Sequence, residues 1–156
     1  GKIEDLKYQN YFDAVTSFHV IEHIHEPDSF VKKTYKLLKK NGILILRLPN
    51  IKSLEASLAK MRWFHFDYPY HVSHFTPQSI KLLLEKNNFK SIKIKYSIIE
   101  YRQTLLYSVL SYLGVKEIPL SVKILLMPLQ IIFIPLSLLI AVFFRNSATI
   151  EVTADK

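Results

Sequence analysis

The chain has 156 residues, 49% of them hydrophobic, and a formal net charge of +8 at pH 7. This length predicts one domain with enough apolar material for a core. The chain contains no cysteine, which excludes disulfides and thiolate metal sites. The positive net charge favours binding to an anionic membrane surface or to an acidic partner. The simpler explanation of this charge is a set of lysine-rich helix faces exposed to solvent.

The segment 11–30, YFDAVTSFHVIEHIHEPDSF, organises the other predictions. Its apolar run at 12–15 is short, rich in β-forming residues and bounded by polar ones, which predicts a buried strand. Ligands of open α/β sheets bind beyond the carboxyl ends of the strands. The residues that follow the run are therefore candidates for a site: Ser17, Phe18, His19, Glu22, His23 and His25.

A helix is predicted over 27–40, because Pro27 suits a first turn and Asp28 suits the positive end of the helix dipole. Asn41 and Gly42 supply its C-terminal stop. The continuous apolar run at 43–48 predicts the next strand. A strand, a helix and a strand with short joins form a βαβ unit, so the two strands should be parallel.

Apolar residues at helical spacing predict a second amphipathic helix over 51–61; its apolar stripe contains Ile51, Leu54, Leu58 and Met61. The stretch 62–75, RWFHFDYPYHVSHF, is dense in aromatics and histidines and has no clear period. Long irregular stretches beside a scaffold tend to carry function, so a binding loop is predicted here.

The last regular elements are a helix and two strands. Thr76 and Pro77 cap the helix, which has Ile80, Leu83 and Leu84 inward. Residues 90–99 alternate as a half-buried strand, and 148–154 alternate as a short final one.

Two apolar segments lie between these strands, at 103–113 and at 124–144. The second has no charged residue and as a helix would reach about 31 Å, enough to cross a bilayer. Pro128 and Pro135 can break it. An insertion that dips into one leaflet is the preferred prediction, and a true span and a buried helix pair are the alternatives.

Three blocks resemble the second half of a class I S-adenosylmethionine-dependent methyltransferase: FDAVTSFHVIEHIHEPDSF, LLKKNGILILRLPN and HFTPQSIKLLLEKNNFKSIKI. The family's Gly-rich cofactor turn is absent, which predicts the C-terminal part of such an enzyme. The implied fold is α/β, a partial Rossmann-like sheet of about four strands with flanking helices and a hydrophobic membrane-associated insertion. The implied boundaries are 1–99 for the methyltransferase part, 100–145 for the insertion and 146–156 for the final strand.

The resemblance also implies roles for single residues. Contacts to S-adenosylmethionine are expected from Lys2 and Ile3 near the adenine, and from Ser17, Phe18 and His19 beside the methionine and ribose half. His71 is the candidate general base, since a neutral imidazole can take a proton from a hydroxyl. Tyr68, Tyr70 and His74 are the candidate substrate-binding residues.

The expected activity is O-methylation of a small-molecule or lipid-linked acceptor. The protein is expected on the cytoplasmic side of a membrane as a peripheral or monotopic protein, and a single-pass membrane protein is the alternative. A non-catalytic membrane-bound module is a second hypothesis. Nucleic acid is not an expected partner, because the lysines lie on helix backs away from the aromatic loop.

Residues 19–23 match H-x-x-E-H, the pattern of inverted zinc peptidases, which is a further alternative. Pro27 follows too soon to leave much helix there. Some quinone-type O-methyltransferases hold a divalent ion with acidic and histidine residues at this point. His19 stands where those enzymes tend to have a carboxylate, and no metal ligands are predicted.

Overall fold

A computed structural model describes residues 3–97, 119–125 and 146–156, and the single positions 110, 128, 131, 135, 139 and 143. In this part of the chain four strands form one sheet in the order β1-β2-β4-β3. The strands are β1 (Phe12–Phe18), β2 (Leu38–Pro49), β3 (Lys90–Tyr96) and β4 (Thr149–Asp155). β1 and β2 are parallel, as predicted, and β4 runs antiparallel to both β2 and β3.

The described helices are α1 (Pro27–Leu37), α2 (Leu54–Ala59), α3 (Pro77–Lys86) and α4 (Leu120–Leu125). α1 and α3 supply Val31, Ile80 and Leu84 to the core, where alternate residues of β2 and β4, such as Leu46 and Val152, are fully buried. The predicted cap at Thr76 is confirmed, and it takes the form of a capping box in which Thr76 and Ser79 exchange hydrogen bonds at the start of α3. The period-2 predictions for β3 and β4 are confirmed.

The predicted helix stop at Asn41 and Gly42 is wrong. α1 ends at Leu37, and both residues lie inside β2. The pairing moves from Phe12–Leu38 to Ala14–Ile43, so β2 carries extra residues there, and Asn41 has a φ of 66°. Asn tolerates this left-handed conformation and Gly42 lies close to the backbone of Asp13, so the Asn-Gly pair forms an irregularity in a strand.

The second predicted helix is shorter, and its apolar stripe faces outward. α2 covers six residues and a 3₁₀ turn, Lys60–Arg62, follows it. Leu58 and Met61 are 63% and 73% exposed. The buried face of α2 uses Ala56 and Ala59, which pack with Trp63 and Ala148, and only small side chains fit this contact.

The pairing of β3 with β4 continues to the residues that border the predicted insertion. Ser97 N donates to Thr149 O at 3.1 Å, and Ser147 Oγ donates to Ser97 O at 2.9 Å. Apart from position 110, the segment 103–113 lies outside the described residues, and so does most of 124–144. Ile124 and Leu125 of α4 are described, and both are exposed. Across the described ranges, no helix combines the length and the apolar content needed to cross a bilayer.

Candidate functional site

The carboxyl ends of the two parallel strands place Ser17, Phe18 and His19 at one edge of the sheet, as predicted. Ser17 is buried on the core side, and its Oγ has no hydrogen-bond partner among the described residues. Phe18 is 47% exposed on the opposite side, where the Arg47 guanidinium lies 4.7 Å from its ring centroid. Arg47 is itself paired with Glu151 at 2.8 Å. A buried hydroxyl and a half-exposed aromatic ring thus flank the strand end.

His19 turns the chain away from β1 toward Glu22. It adopts a φ of 52°, and its Nδ1 donates to Glu22 Oε1 at 3.1 Å. Glu22 lies in a 3₁₀ turn, Ile21–His23, and is 1% exposed. Its Oε2 has no partner in the described part of the chain. A buried carboxylate, that of Glu22, is therefore hydrogen-bonded to the residue that follows β1.

The aromatic loop 62–75 is bound to this turn through the backbone. Glu22 O accepts hydrogen bonds from Val72 N at 2.9 Å and from Ser73 N at 3.0 Å. Ser73 Oγ donates to Ile24 O at 3.1 Å. These bonds fix the loop against the residues that follow β1.

His71 and His23 meet at this junction, with ring centroids 4.6 Å apart. The Nδ1 of His71 is 2.7 Å from His65 O, and the Nδ1 of His23 is 2.9 Å from Tyr70 O. A carbonyl oxygen can only accept, so each Nδ1 carries the proton and each neutral ring keeps its lone pair on Nε2. One potential ligand atom from each of Glu22, His23 and His71 lies within 4.8 Å of the others.

The structure brings some predicted site residues together and separates others. His71 is buried, and one of its ring nitrogens lies within 4.8 Å of a carboxylate oxygen of Glu22, the residue to which His19 Nδ1 donates. Tyr68 and Tyr70 are exposed on the loop, and the carbonyl of Tyr70 accepts a hydrogen bond from His23 Nδ1. The His74 ring stacks on Phe66 at 5.0 Å, and its Nε2 is 3.3 Å from Phe66 O.

The predicted adenine contacts of Lys2 and Ile3 stay predictions. Ile3 begins a 3₁₀ turn, Ile3–Asp5, and packs against the core. Lys2 lies outside the described residues.

The H-x-x-E-H pattern does not form the helix that inverted zinc peptidases use. Only a three-residue 3₁₀ turn, Ile21–His23, is present, and His19 precedes it in a left-handed conformation. The partner of Glu22 and His23 is instead His71, from the distant loop. Each of these residues is a candidate from its own sequence pattern, but no pattern in the sequence indicates that the three lie together.

The family profile described as a methyltransferase domain matches residues 2–94. A ubiquinone biosynthesis O-methyltransferase from Pelagibacter ubique (strain HTCC1062) is 40% identical over 47 residues, which are 30% of this chain and 20% of that protein.

Solved structures are similar over the whole chain. A SAM-dependent methyltransferase from Thermotoga maritima has a TM-score of 0.63 and 14% identity, and the match covers 100% of this chain and 62% of that one. The phosphoethanolamine N-methyltransferase 2 of Haemonchus contortus, solved with S-adenosyl-L-methionine, has a TM-score of 0.57 and 17% identity, with 99% and 36% covered. At such identities the structures show the shared fold, and this chain spans less than two thirds of each relative.

Proposed function

We propose a methyl-transfer function for this chain. The chain belongs to the methyltransferase domain family, which its resemblance to class I S-adenosylmethionine-dependent methyltransferases predicted. The proposed reaction transfers a methyl group from S-adenosylmethionine to an oxygen of an acceptor at or in a membrane. The observation that supports it most is the junction of the β1 end with the loop 62–75, because this brings the predicted cofactor side and the predicted acceptor side together.

The residues at the β1 end fit the proposed cofactor. Ser17 offers a buried hydroxyl with no partner among the described residues, and Phe18 offers an exposed aromatic face. An unpaired buried hydroxyl costs free energy until a partner reaches it, so a ligand with polar groups would stabilise this edge. When bound, S-adenosylmethionine supplies an electrophilic methyl group, and Ser17, Phe18 and His19 would position it.

His71 is the proposed general base. Its Nδ1–H is held by His65 O, so the lone pair of the neutral ring is on Nε2. As the acceptor oxygen forms its bond to the methyl carbon and the carbon–sulfur bond breaks, the hydroxyl proton would move to this Nε2. Burial of the ring beside the Glu22 turn fixes its orientation.

The proposal of an acceptor at the membrane is supported by exposed apolar side chains close to basic ones. Leu58, Met61 and Phe64 are exposed, and Lys60 and Arg62 alternate with them along the chain. The described positions between 124 and 143 that are large and apolar are exposed as well. Apolar side chains with basic neighbours suit an anionic lipid surface. The relative named for ubiquinone biosynthesis suggests a quinone precursor, beside a lipid or a lipid-linked sugar.

Transfer of tritiated methyl groups tests the reaction. The full chain is incubated with methyl-labelled S-adenosylmethionine and with cell material extracted either by organic solvent or by water. The radioactivity of the organic-soluble and the water-soluble products is then counted. We expect label in the organic fraction, and we expect His71→Gln to lower the rate by about 10²–10⁴-fold. The matched control is His25→Gln, which changes an exposed histidine of the same region. Equal rates for both variants would remove His71 from the mechanism.

Equilibrium dialysis with S-adenosylmethionine tests cofactor binding separately from turnover. Phe18→Ala should weaken binding, whereas Phe64→Ala, an exposed phenylalanine of the loop, should not. Absence of binding by the unchanged chain would contradict the reaction as proposed. Cofactor binding without transfer to any fraction would favour a non-catalytic module.

Flotation with vesicles tests the membrane part of the proposal. The chain should float with anionic vesicles and much less with neutral ones. Removal of residues 103–145 should reduce flotation, and so should the double variant Leu58→Ser, Met61→Ser, whose positions are exposed in the described part of the chain. Unchanged flotation after both changes would refute the membrane contact and leave the reaction untouched.

A further inference from the structure

We propose that Glu55 and Trp63 bind a hydroxyl-bearing head group of the methyl acceptor, at a second point beside the hydroxyl that receives the methyl group. A sugar and a phenol ring both carry such hydroxyls. Calling the ligand a methyl acceptor rests on the proposed function. The binding site itself rests on two buried polar atoms that have no partner among the described residues, Oε2 of Glu55 and Nε1 of Trp63.

Glu55 lies at the edge of the sheet where ligands of open α/β folds bind. β2 ends at Pro49, at the same edge as the end of β1, and α2 follows after a short turn with Ser53 as its cap. Glu55 is on the inner face of α2 and is 3% exposed. Hydrogen bonds from Ser53 and from its own backbone leave its Oε2 without a partner among the described residues. Buried side-chain oxygens are usually paired, so this atom points to a ligand.

Trp63 supplies a hydrogen-bond donor on the same buried surface. It is 3% exposed, and its Nε1–H has no partner in the part of the chain that the structure describes. Trp63 packs in one small cluster with Ala56, Ala59 and Ala148. Glu55 and Ala59 share the inner face of α2, because residues four apart on a helix are neighbours. The unpaired oxygen of Glu55 and the unpaired nitrogen of Trp63 therefore belong to residues that border the same alanine-lined contact.

The two atoms select a hydroxyl over a charged group. An indole N–H can only donate and an ionised carboxylate can only accept, whereas a hydroxyl does both. A phosphate would pair with the indole but be repelled by the carboxylate, and an ammonium would leave the indole unpaired. Burial raises the pKa of the Glu55 carboxyl, and a hydroxyl can pair with its neutral form as well. Lys52, Lys60 and Arg62 flank α2 in the sequence and further disfavour a cation.

The ring of His65 links this site to the proposed base. Its centroid is 5.3 Å from that of the Trp63 ring and 6.5 Å from that of the His71 ring. The cluster also reaches the surface, because Ile51 and Phe66 are only partly buried where they pack against it. A head group that enters on their side can pair with the two unpaired atoms, and the rest of the same molecule can extend toward His71.

The fluorescence of Trp63, the single tryptophan, measures binding by the full chain without S-adenosylmethionine. The probes share an octyl tail: octyl glucoside below its critical micelle concentration, 4-octylcatechol, and octyl methyl ether, which has no hydroxyl. We expect a saturable change in emission with a hydroxyl-bearing probe and none with the ether. A response to the glucoside alone assigns the site to a sugar, a response to the catechol alone assigns it to a phenol ring, and responses to both support the shared chemistry. No saturable response, or an equal response to the ether, would overturn the proposal.

Two variants test the two atoms. Glu55→Gln and Trp63→Phe nearly keep the shape of each side chain and should each weaken binding of the responding probe by about tenfold or more. Calorimetry measures these affinities, because Trp63→Phe removes the single tryptophan. Glu55→Gln decides alone if Trp63→Phe does not fold. Glu85→Gln, at an exposed glutamate, is the control and should bind as the unchanged chain does.

Urea unfolding separates a binding role of Glu55 from a structural one. For a binding role, Glu55→Gln weakens binding without a lower free energy of unfolding, whereas a fall in both would make Glu55 a structural residue and overturn the site. Equal affinities for Glu55→Gln and Glu85→Gln would also overturn the site, and transfer of labelled methyl groups would be untouched by that result. Conversely, hydroxyl-dependent binding without any methyl transfer would refute the proposed reaction and retain the site.

Discussion

Glu55 gives the sharpest stability prediction, because this carboxyl is buried on the inner face of α2. It is 3% exposed, and its Oε2 has no hydrogen-bond partner among the described residues. Burial raises the pKa of the Glu55 carboxyl above its usual value of 4.5, and hydrogen bonds from its own backbone and from Ser53 oppose this shift only in part. The perturbation is Glu55→Gln, which removes the charge and nearly keeps the shape.

The sign follows from the raised pKa of Glu55 in the folded state. Its contribution to the free energy of unfolding is fully present below the unfolded pKa, and it is lost as the pH rises through the folded pKa. Once the pH exceeds the raised pKa of Glu55, the unchanged chain holds an ionised carboxylate with an unpaired buried oxygen. Such a group costs about 1–3 kcal/mol. Glu55→Gln should recover part of this at pH 7.5 and little at pH 4.

Urea unfolding followed by the fluorescence of Trp63 measures this effect. Trp63 is the single tryptophan and packs in the same small cluster as α2, so it reports on this region. A gain of 1 kcal/mol corresponds to about 2–4 °C in melting temperature for a chain of this size. Glu85→Gln, at an exposed glutamate of α3, is the control. A variant less stable than the unchanged chain at pH 7.5 would refute the reasoning, as would an equal gain at pH 4 and pH 7.5.

Three other predictions concern the described strands and caps. Thr76→Ala removes the hydroxyl that accepts from Ser79 N at 3.0 Å and should lower the free energy of unfolding by about 1 kcal/mol, whereas Thr76→Ser should keep this hydrogen bond. The midpoints of urea unfolding measure the difference, and equal midpoints for the two variants would contradict the cap. Gly42→Ala places a Cβ 2.9 Å from Lys39 O and 3.2 Å from Asp13 O, so it should lower the free energy of unfolding by about 1–3 kcal/mol in the same assay. An unchanged free energy of unfolding would show that the neighbouring backbone can move aside. Lys95→Cys and Glu151→Cys, paired across β3 and β4 in a chain without cysteine, should react alike with an impermeant maleimide added to vesicle-bound protein. Protection of one cysteine alone from the maleimide would place the two paired strands on different sides of the vesicle membrane and would contradict the pairing.

The sheet could be predicted largely from the sequence because strand patterns depend on local alternation. Ile150 and Val152 alternate with polar residues, and both are fully buried in β4. The apolar stripe of α2 misled for a physical reason. Spacing shows that Leu54, Leu58 and Met61 share a face, but it does not show what covers that face. The partner of α2 includes Ala148, far along the chain, and this contact selects the small residues Ala56 and Ala59.

The candidate site was only partly predictable, because its central contact is not local. The sequence identified the β1 end and the histidine-rich loop as separate features. Their junction depends on backbone bonds from Val72 and Ser73 to the Glu22 carbonyl, and main-chain pairing of two irregular segments leaves no pattern in side chains. The tautomers of His23 and His71 are likewise set by carbonyl groups whose positions follow from loop geometry.

The contact between Ser97 and Ser147 limits how the intervening residues 98–145 can relate to a bilayer. A segment that crosses once separates its two ends by the hydrocarbon core, about 30 Å. Here Ser147 Oγ reaches Ser97 O at 2.9 Å, and Ser97 N reaches Thr149 O at 3.1 Å. The two strands that flank these residues are therefore next to each other in the sheet. On this ground we propose an insertion that would enter one leaflet and return, in preference to a single crossing, and its relation to a bilayer stays a prediction.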